Sequence, residues 1–406
     1  MQNQTSAILE PVASAAKTAR EEVPFGMNEV RLSARQWLAA LSIVAVCLLA
    51  TPRACKKIER FETGADYRIP YQLSKDYWLY ERRLEQATDP DKIPVLGDSV
   101  VWGEYVLPTG TLSHFLNQET RPGEEFINCG VNGLFPLALE GLVEHYGNSM
   151  RNRKIIVQCN LLWMSSPKAD LSIDKEESFN HSRLVPQFRP RIPCYRADAA
   201  ERLSVVIERN VSFSAWVGHL QNAYFAQRSA PAWTLQDDGG APAQYPNAWR
   251  NPLAQITFAV PSEPIDDPQR GPRSARHRPW SEGGAGPTRF DWIELDRSLQ
   301  WQAFQRTIRR LRDRGNNVLV ILGPFNEHMV LQDQLLAYRA LRDRIATWLS
   351  QNQVPHIDPD LLPSSLYADA SHPLTEGYAM IARQIRQHQT FGRWLATEDV
   401  SGRRPR

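Results

Sequence analysis

The stretch Ile93-Pro94-Val95-Leu96-Gly97-Asp98-Ser99-Val100-Val101-Trp102-Gly103 decides how the chain is read. A short apolar run stops at a glycine, and polar residues open the next apolar run. Apolar runs without alternation belong to strands buried on both faces. The unit recurs: strands are predicted at 93–96, 125–128, 154–159, 317–322 and 354–357. Helices are predicted between them, over 111–120, 136–150, 299–314, 338–351 and 375–389, with Pro136 suited to a first helical turn and Thr375 to an N-cap. Strands alternating with helices predict an α/β domain of about five parallel strands, covered on both faces. In such sheets ligands bind beyond the carboxyl ends of the strands.

Outward from this core the pattern changes. Residues 166–292 hold 14 of the 29 prolines, and seven of the 12 tryptophans lie between Trp163 and Trp301. This Pro/Trp-rich stretch reads as an insertion that splits the α/β domain into 91–165 and 293–393. Its tryptophans suit either core packing or stacking on sugar rings. A polar tail (1–36), a linker with a short helix (53–90) and a basic tail (394–406) complete the expected organisation.

Residues 37–52 are the hydrophobic segment. Their uninterrupted apolar core, Leu38 to Ala50, is 13 residues, roughly 20 Å as a helix against a hydrocarbon thickness of ~30 Å. The segment, closed by Pro52, reads as a membrane anchor or signal-like helix. Arg53, Lys56, Lys57 and Arg60 outnumber Arg31 and Arg35, which by charge alone favours the C-terminal side in the cytoplasm.

Lys+Arg at 47 against Asp+Glu at 45 gives no basic excess, so nucleic acid is not an expected partner. The five cysteines include no CxxC spacing, so neither a metal site nor another cofactor is expected. His114, His145, His219 and His388 read as helix-surface residues.

Two motifs carry chemistry. In Gly97-Asp98-Ser99 a serine sits at a strand-to-helix turn, where its hydroxyl would face the crevice beside helix N–H groups; an ordinary capping turn fits the same residues. Asp98 suits a structural role, holding the turn. In Asp369-Ala-Ser-His372 a carboxylate can orient the imidazole, leaving its other nitrogen as general base. A third segment, Asn326-Glu327-His328 after the fourth strand, is a candidate for binding substrate or acceptor, or else a capped helix start.

Taken together, the N-terminal Gly-Asp-Ser and the C-terminal Asp-x-x-His resemble the SGNH (GDSL-type) hydrolase superfamily. The resemblance covers 91–165 and 298–390 and implies a three-layer flavodoxin-like fold. Ile127-Asn128-Cys129-Gly130-Val131-Asn132-Gly133 is similar to that family's glycine block, and Gln158-Cys159-Asn160 to its asparagine block, although Gln158 and Leu161 depart from the usual Gly-x-Asn-Asp. The resemblance implies Ser99 as nucleophile, His372 as base, Asp369 as its orienter, and an oxyanion hole from Ser99, Gly130 and Asn160.

An acyl-enzyme follows from such a triad, and the attacking group decides between esterase and O-acetyltransferase. Anchored members with large insertions resemble envelope enzymes that add or remove acetyl groups on polysaccharide. That implies O-acylated carbohydrate as substrate, an extracytoplasmic domain and, for a transferase, a membrane partner supplying the acyl group. A lipid-directed esterase and a non-catalytic glycan-binding or envelope-assembly module are the other expectations.

Overall fold

The computed structural model describes residues 32–397, apart from 62, 65, 90, 119–123, 235–250, 261–277 and 285. Most of the expected polar and basic tails, and 34 of the insertion's 127 residues, lie outside the described residues. The chain divides into two units, Met1–Cys47 and Leu48–Arg406.

The hydrophobic segment is longer than its apolar core suggested. Helix α1 runs Ala34–Ile58, 25 residues, and continues through Pro52. At 1.5 Å per residue it is about 37 Å long. It is the one helix among the described residues long and apolar enough to cross a membrane, and little of it is buried. The far end is tied down by the ion pair of Lys56 with Glu85.

In the second unit α2 (Tyr77–Gln86) precedes β1 (Lys92–Gly97), α3 (Ser99–Trp102), α4 (Leu112–Gln118), β2 (Glu125–Gly130), α5 (Pro136–Tyr146) and β3 (Lys154–Cys159). The insertion carries α6 (Ala199–Asn210), α7 (Ser212–Tyr224), α8 (Ala230–Thr234) and α9 (Pro252–Gln255). Then come α10 (Leu299–Asp313), β4 (Asn317–Leu322), α11 (Leu335–Gln351), β5 (His356–Ile357), α12 (Thr375–Gln387) and α13 (Gln389–Ala396). The five strands form one parallel sheet in the order β2-β1-β3-β4-β5, a flavodoxin-like order. Thr375 is the first helical residue; Leu374 occupies the N-cap and makes no side-chain cap.

Strand side chains divide between two cores by strict alternation. Leu96, Ile155, Val157, Val318 and Val320 join α2, α5, α10 and α11 on one face. Val95, Ile156, Leu319 and Ile321 join α4, α12 and α13 on the other. Strand β2 is an edge, and side chains cover it. Asn117 exchanges hydrogen bonds with the Phe126 backbone at 2.7 and 2.9 Å, Tyr80 donates to Cys129 O at 2.6 Å and Arg83 to Asn128 O at 3.3 Å. The segment 53–90 is therefore less a linker than part of the core, since Leu79, Tyr80 and Leu84 are fully buried.

His219 overturns the surface assignment: it is 1% exposed. From α7 its Nδ1 meets Asp76 at 2.7 Å and its Nε2 meets Glu59 at 2.9 Å. Glu59 also accepts from Tyr224 and Arg82. Both carboxylates come from residues distant in sequence, so helical position alone could not reveal the site. Burial opposes the imidazolium, but Asp76 and Glu59 outweigh it and push His219 up to about 9. Its folded value stands above the unfolded one, so this stabilisation is complete below about pH 6.5 and is lost as pH rises through 9. His219→Gln should cost about 3–5 kcal/mol by leaving two buried carboxylates facing each other. Calorimetry from pH 6 to 10 should show the native melting temperature falling through this range, with that fall reduced in the variant.

Candidate active site

Gly97 closes β1 and turns the chain into α3 without room for a side chain. A Cβ there would stand 2.4 Å from Val101 Cγ2 and 3.0 Å from Gln158 Oε1. Asp98 caps the helix, its Oδ1 accepting from Val100 N–H at 2.8 Å. Ser99 is thus the first helical residue, and its N–H has no acceptor among the described residues, as first-turn amides commonly lack.

His372 and Asp369 come from the tight loop before α12. Tyr367 and Pro373 form an antiparallel bridge, and Ala368 N–H donates to His372 O at 2.8 Å. At the loop's tip Asp369 Oδ1 accepts from the N–H groups of Ser371 and His372, each at 2.9 Å. Both carboxylate oxygens lie 2.8 Å from His372 Nδ1, and His372 Nε2 lies 2.7 Å from Ser99 Oγ. Asp369 as acceptor places the ring proton on Nδ1 and leaves Nε2 free to take the Ser99 proton. Burial raises the Asp369 pKa, but His372 and the two backbone donors outweigh it and hold the carboxyl below its ordinary range. Ser99 is 8% and His372 7% exposed, a pair shielded from bulk water yet reachable. Tyr378 donates to Val100 O at 2.7 Å, binding α12 to α3. The structure thus brings together Ser99, His372 and Asp369, although Ser99 and Asp369 lie 270 residues apart (369 minus 99).

The expected oxyanion donors fare differently. Gly130 N–H is already donated to Asn128 Oδ1 at 3.0 Å, so it is not free for an oxyanion. Glycine is required there for another reason: a Cβ would stand 2.3 Å from Trp102 N. Beyond it, Val131 N–H donates to Gly97 O, and the N–H groups of Asn132 and Gly133 have no acceptor among the described residues. The uncommitted donors of this turn therefore lie two and three residues downstream of the expected one. Asn160 Oδ1 accepts from Leu162 N–H at 3.0 Å, and its Nδ2 donates to Asp98 Oδ2 at 2.8 Å. One Nδ2 hydrogen serves that bond; an amide carries two.

Asn326, Glu327 and His328 each bond within the fold, although the buried Asn326 Oδ1 has no partner among the described residues. Asn326 donates to Asp369 O at 3.1 Å and, through its backbone, to Ala370 O at 2.8 Å, so it positions the loop carrying Asp369. Glu327 is held at 3.0 Å by both Arg339 and Arg342. His328 Nε2 lies 3.0 Å from Leu362 O. Among the described residues no group of three or more His, Cys, Asp or Glu side chains could hold a metal ion.

Sequence reasoning missed the residues that wrap His372 from the other side. Gly103, with φ +86°, ends α3 after one turn and sends the chain back. Glu104 Oε2 then lies 3.6 Å from His372 Nε2, and the Tyr105 ring stands edge-on to the imidazole at 5.2 Å. Burial and the nearby Asp369 push the Tyr105 hydroxyl up to about 12. Arg68, fully buried and stacked 4.1 Å over Trp102, donates to the carbonyls of Trp102, Gly103 and Val106 around this turn. Gly103 was legible as a helix stop; Arg68, 34 residues before Trp102, had no local signal.

No family model matches the chain, and no curated protein shows significant similarity to it.

Arg68→Met should leave three carbonyls without this donor, at a cost of about 3 kcal/mol or more. Urea unfolding of the two proteins checks this as a lowered midpoint.

Proposed function

We propose that the chain is a serine esterase or O-acetyltransferase of the SGNH type, working through an acyl-enzyme on O-acylated carbohydrate. The observation that carries this reading is the relay Ser99–His372–Asp369, at 2.7 and 2.8 Å. It stands beyond the carboxyl ends of β1 and its neighbours, where the strand order reverses and such sheets hold ligands.

The steps follow from the residues. Ser99 Oγ attacks the ester carbonyl while His372 Nε2 takes its proton. Asp369, ionised and fixed by backbone N–H groups, stabilises the imidazolium. The free N–H of Ser99, with the second Asn160 N–H or the amides of Asn132 and Gly133, supplies donors for the oxyanion. Each such donor is worth about 2.7–4 kcal/mol of barrier. The imidazolium then protonates the departing alcohol. Water or a sugar hydroxyl, deprotonated by the same nitrogen, releases the acyl group. In our reading α1 anchors the chain as a single pass with the catalytic domain outside the cytoplasm, and a transferase would draw its acyl group from a membrane partner.

The direct test is the intact mass of residues 53–406 after exposure to a fluorophosphonate. One adduct on the native chain and none on Ser99→Ala is expected. No adduct on the folded native chain would contradict the reading. On an aryl acetate, Asp369→Asn should lower kcat by about 10⁴-fold, because the imidazole loses its fixed tautomer.

A further inference from the structure

We propose that Glu104 binds the alcohol part of the substrate, and that this alcohol is a vicinal diol of the kind a sugar ring presents. The proposal rests on the acyl-enzyme reading above and narrows its substrate class.

The oxygen that leaves the ester, or that later attacks the acyl-enzyme, must lie within hydrogen-bond reach of His372 Nε2. Glu104 Oε2 stands 3.6 Å from that nitrogen, on the same edge of the ring that meets Ser99 at 2.7 Å. Two acceptors at that separation can each take a hydrogen bond of about 2.5–3.0 Å from adjacent oxygens of one molecule. One oxygen of a diol then exchanges its proton with His372 while its neighbour donates to Glu104. A simple alcohol satisfies only the first.

The position of Glu104 is built rather than incidental. Gly103 turns the chain at φ +86°, and Glu104 N–H donates to Ser99 O at 3.0 Å. Arg68 clamps the carbonyls before and after it, at Trp102, Gly103 and Val106. Tyr105 packs on the imidazole from the adjoining position. The Glu104 side chain is 10% exposed, so its carboxylate is largely shielded from solvent.

The test compares two acetates that differ by one hydroxyl: cyclohexyl acetate and the monoacetate of cis-1,2-cyclohexanediol. The native protein should favour the diol ester in kcat/KM by about tenfold or more, the scale of a hydrogen bond to a charged group. Glu104→Gln should lose most of that preference, its kcat/KM falling much further on the diol ester than on cyclohexyl acetate, with Ser99 still labelled by the fluorophosphonate. Equal rates on both esters by the native protein, or an unchanged preference in the variant, would overturn the proposal. Slower labelling with equal losses on both esters would overturn it too, by showing that Glu104 acts through His372. Labelled Ser99 with turnover of neither ester would overturn the diol assignment alone, whereas failure of labelling in the native protein would overturn the acyl-enzyme reading with it.

Discussion

A buried carboxylate holds the crevice together. Asp98 is 3% exposed, and it takes hydrogen bonds from three places: Val100 N–H in its own helix, the Asn160 amide after β3, and Trp163 Nε1 just beyond, at 2.8, 2.8 and 3.1 Å. Burial raises its pKa, against which His372 and these three donors work. An unpaired charge in that position would cost several kcal/mol, so the donors must stay where they are. Their fixed places set the direction of α3, and with it the direction of the Ser99 hydroxyl. Asn128 adds a fourth tie, its Nδ2 donating to Val101 O at 2.9 Å while its Oδ1 holds Gly130. The strand ends, the one-turn helix and Ser99 are therefore tied into one piece.

Two histidines show how surroundings divide one side chain between structure and chemistry. His219 meets carboxylates at both ring nitrogens, so it is held as an imidazolium and joins the insertion helix α7 to α2 and to Glu59. Neither nitrogen is left to exchange a proton. His372 meets Asp369 at 2.8 Å on one nitrogen and the Ser99 hydroxyl at 2.7 Å on the other, with the Glu104 carboxylate farther off at 3.6 Å. A hydroxyl hydrogen-bonded at Nε2 is the arrangement in which that nitrogen can take up and return a proton while Nδ1–H stays on Asp369. The same contrast explains why the insertion bears on the site without supplying it: His181, also from the insertion, braces the turn after β2 by bonding Asn132 O at 2.8 Å.

The sheet was readable because its strands are continuous apolar runs bounded by glycine, asparagine and charge, and β3 and β4 fall where those runs lie. Ser99, Asp369 and His372 were readable because turn chemistry at strand ends is local: a glycine, an acceptor and a helix start in sequence. Gly130 misled, since a glycine demanded by close backbone approach looks the same in sequence as one that presents an N–H. Asn326 to His328 were ambiguous for a related reason; polar residues after a strand can serve the neighbouring loop as well as a ligand. Glu104 and Arg68 were hidden because their roles depend on a one-turn helix and on contacts between distant segments. The length of α1 was hidden by Pro52, which stops most helices but not this one.

The central claim is that Ser99 carries a covalent acyl group during turnover. Acid quenching within the first turnover of an aryl acetate, followed by peptide mass spectrometry, tests it directly. One acetyl group on the peptide containing Ser99, absent from the His372→Ala protein, is the predicted result. Turnover of the ester without any acetylated peptide, or with the acetyl group on another residue, would contradict it.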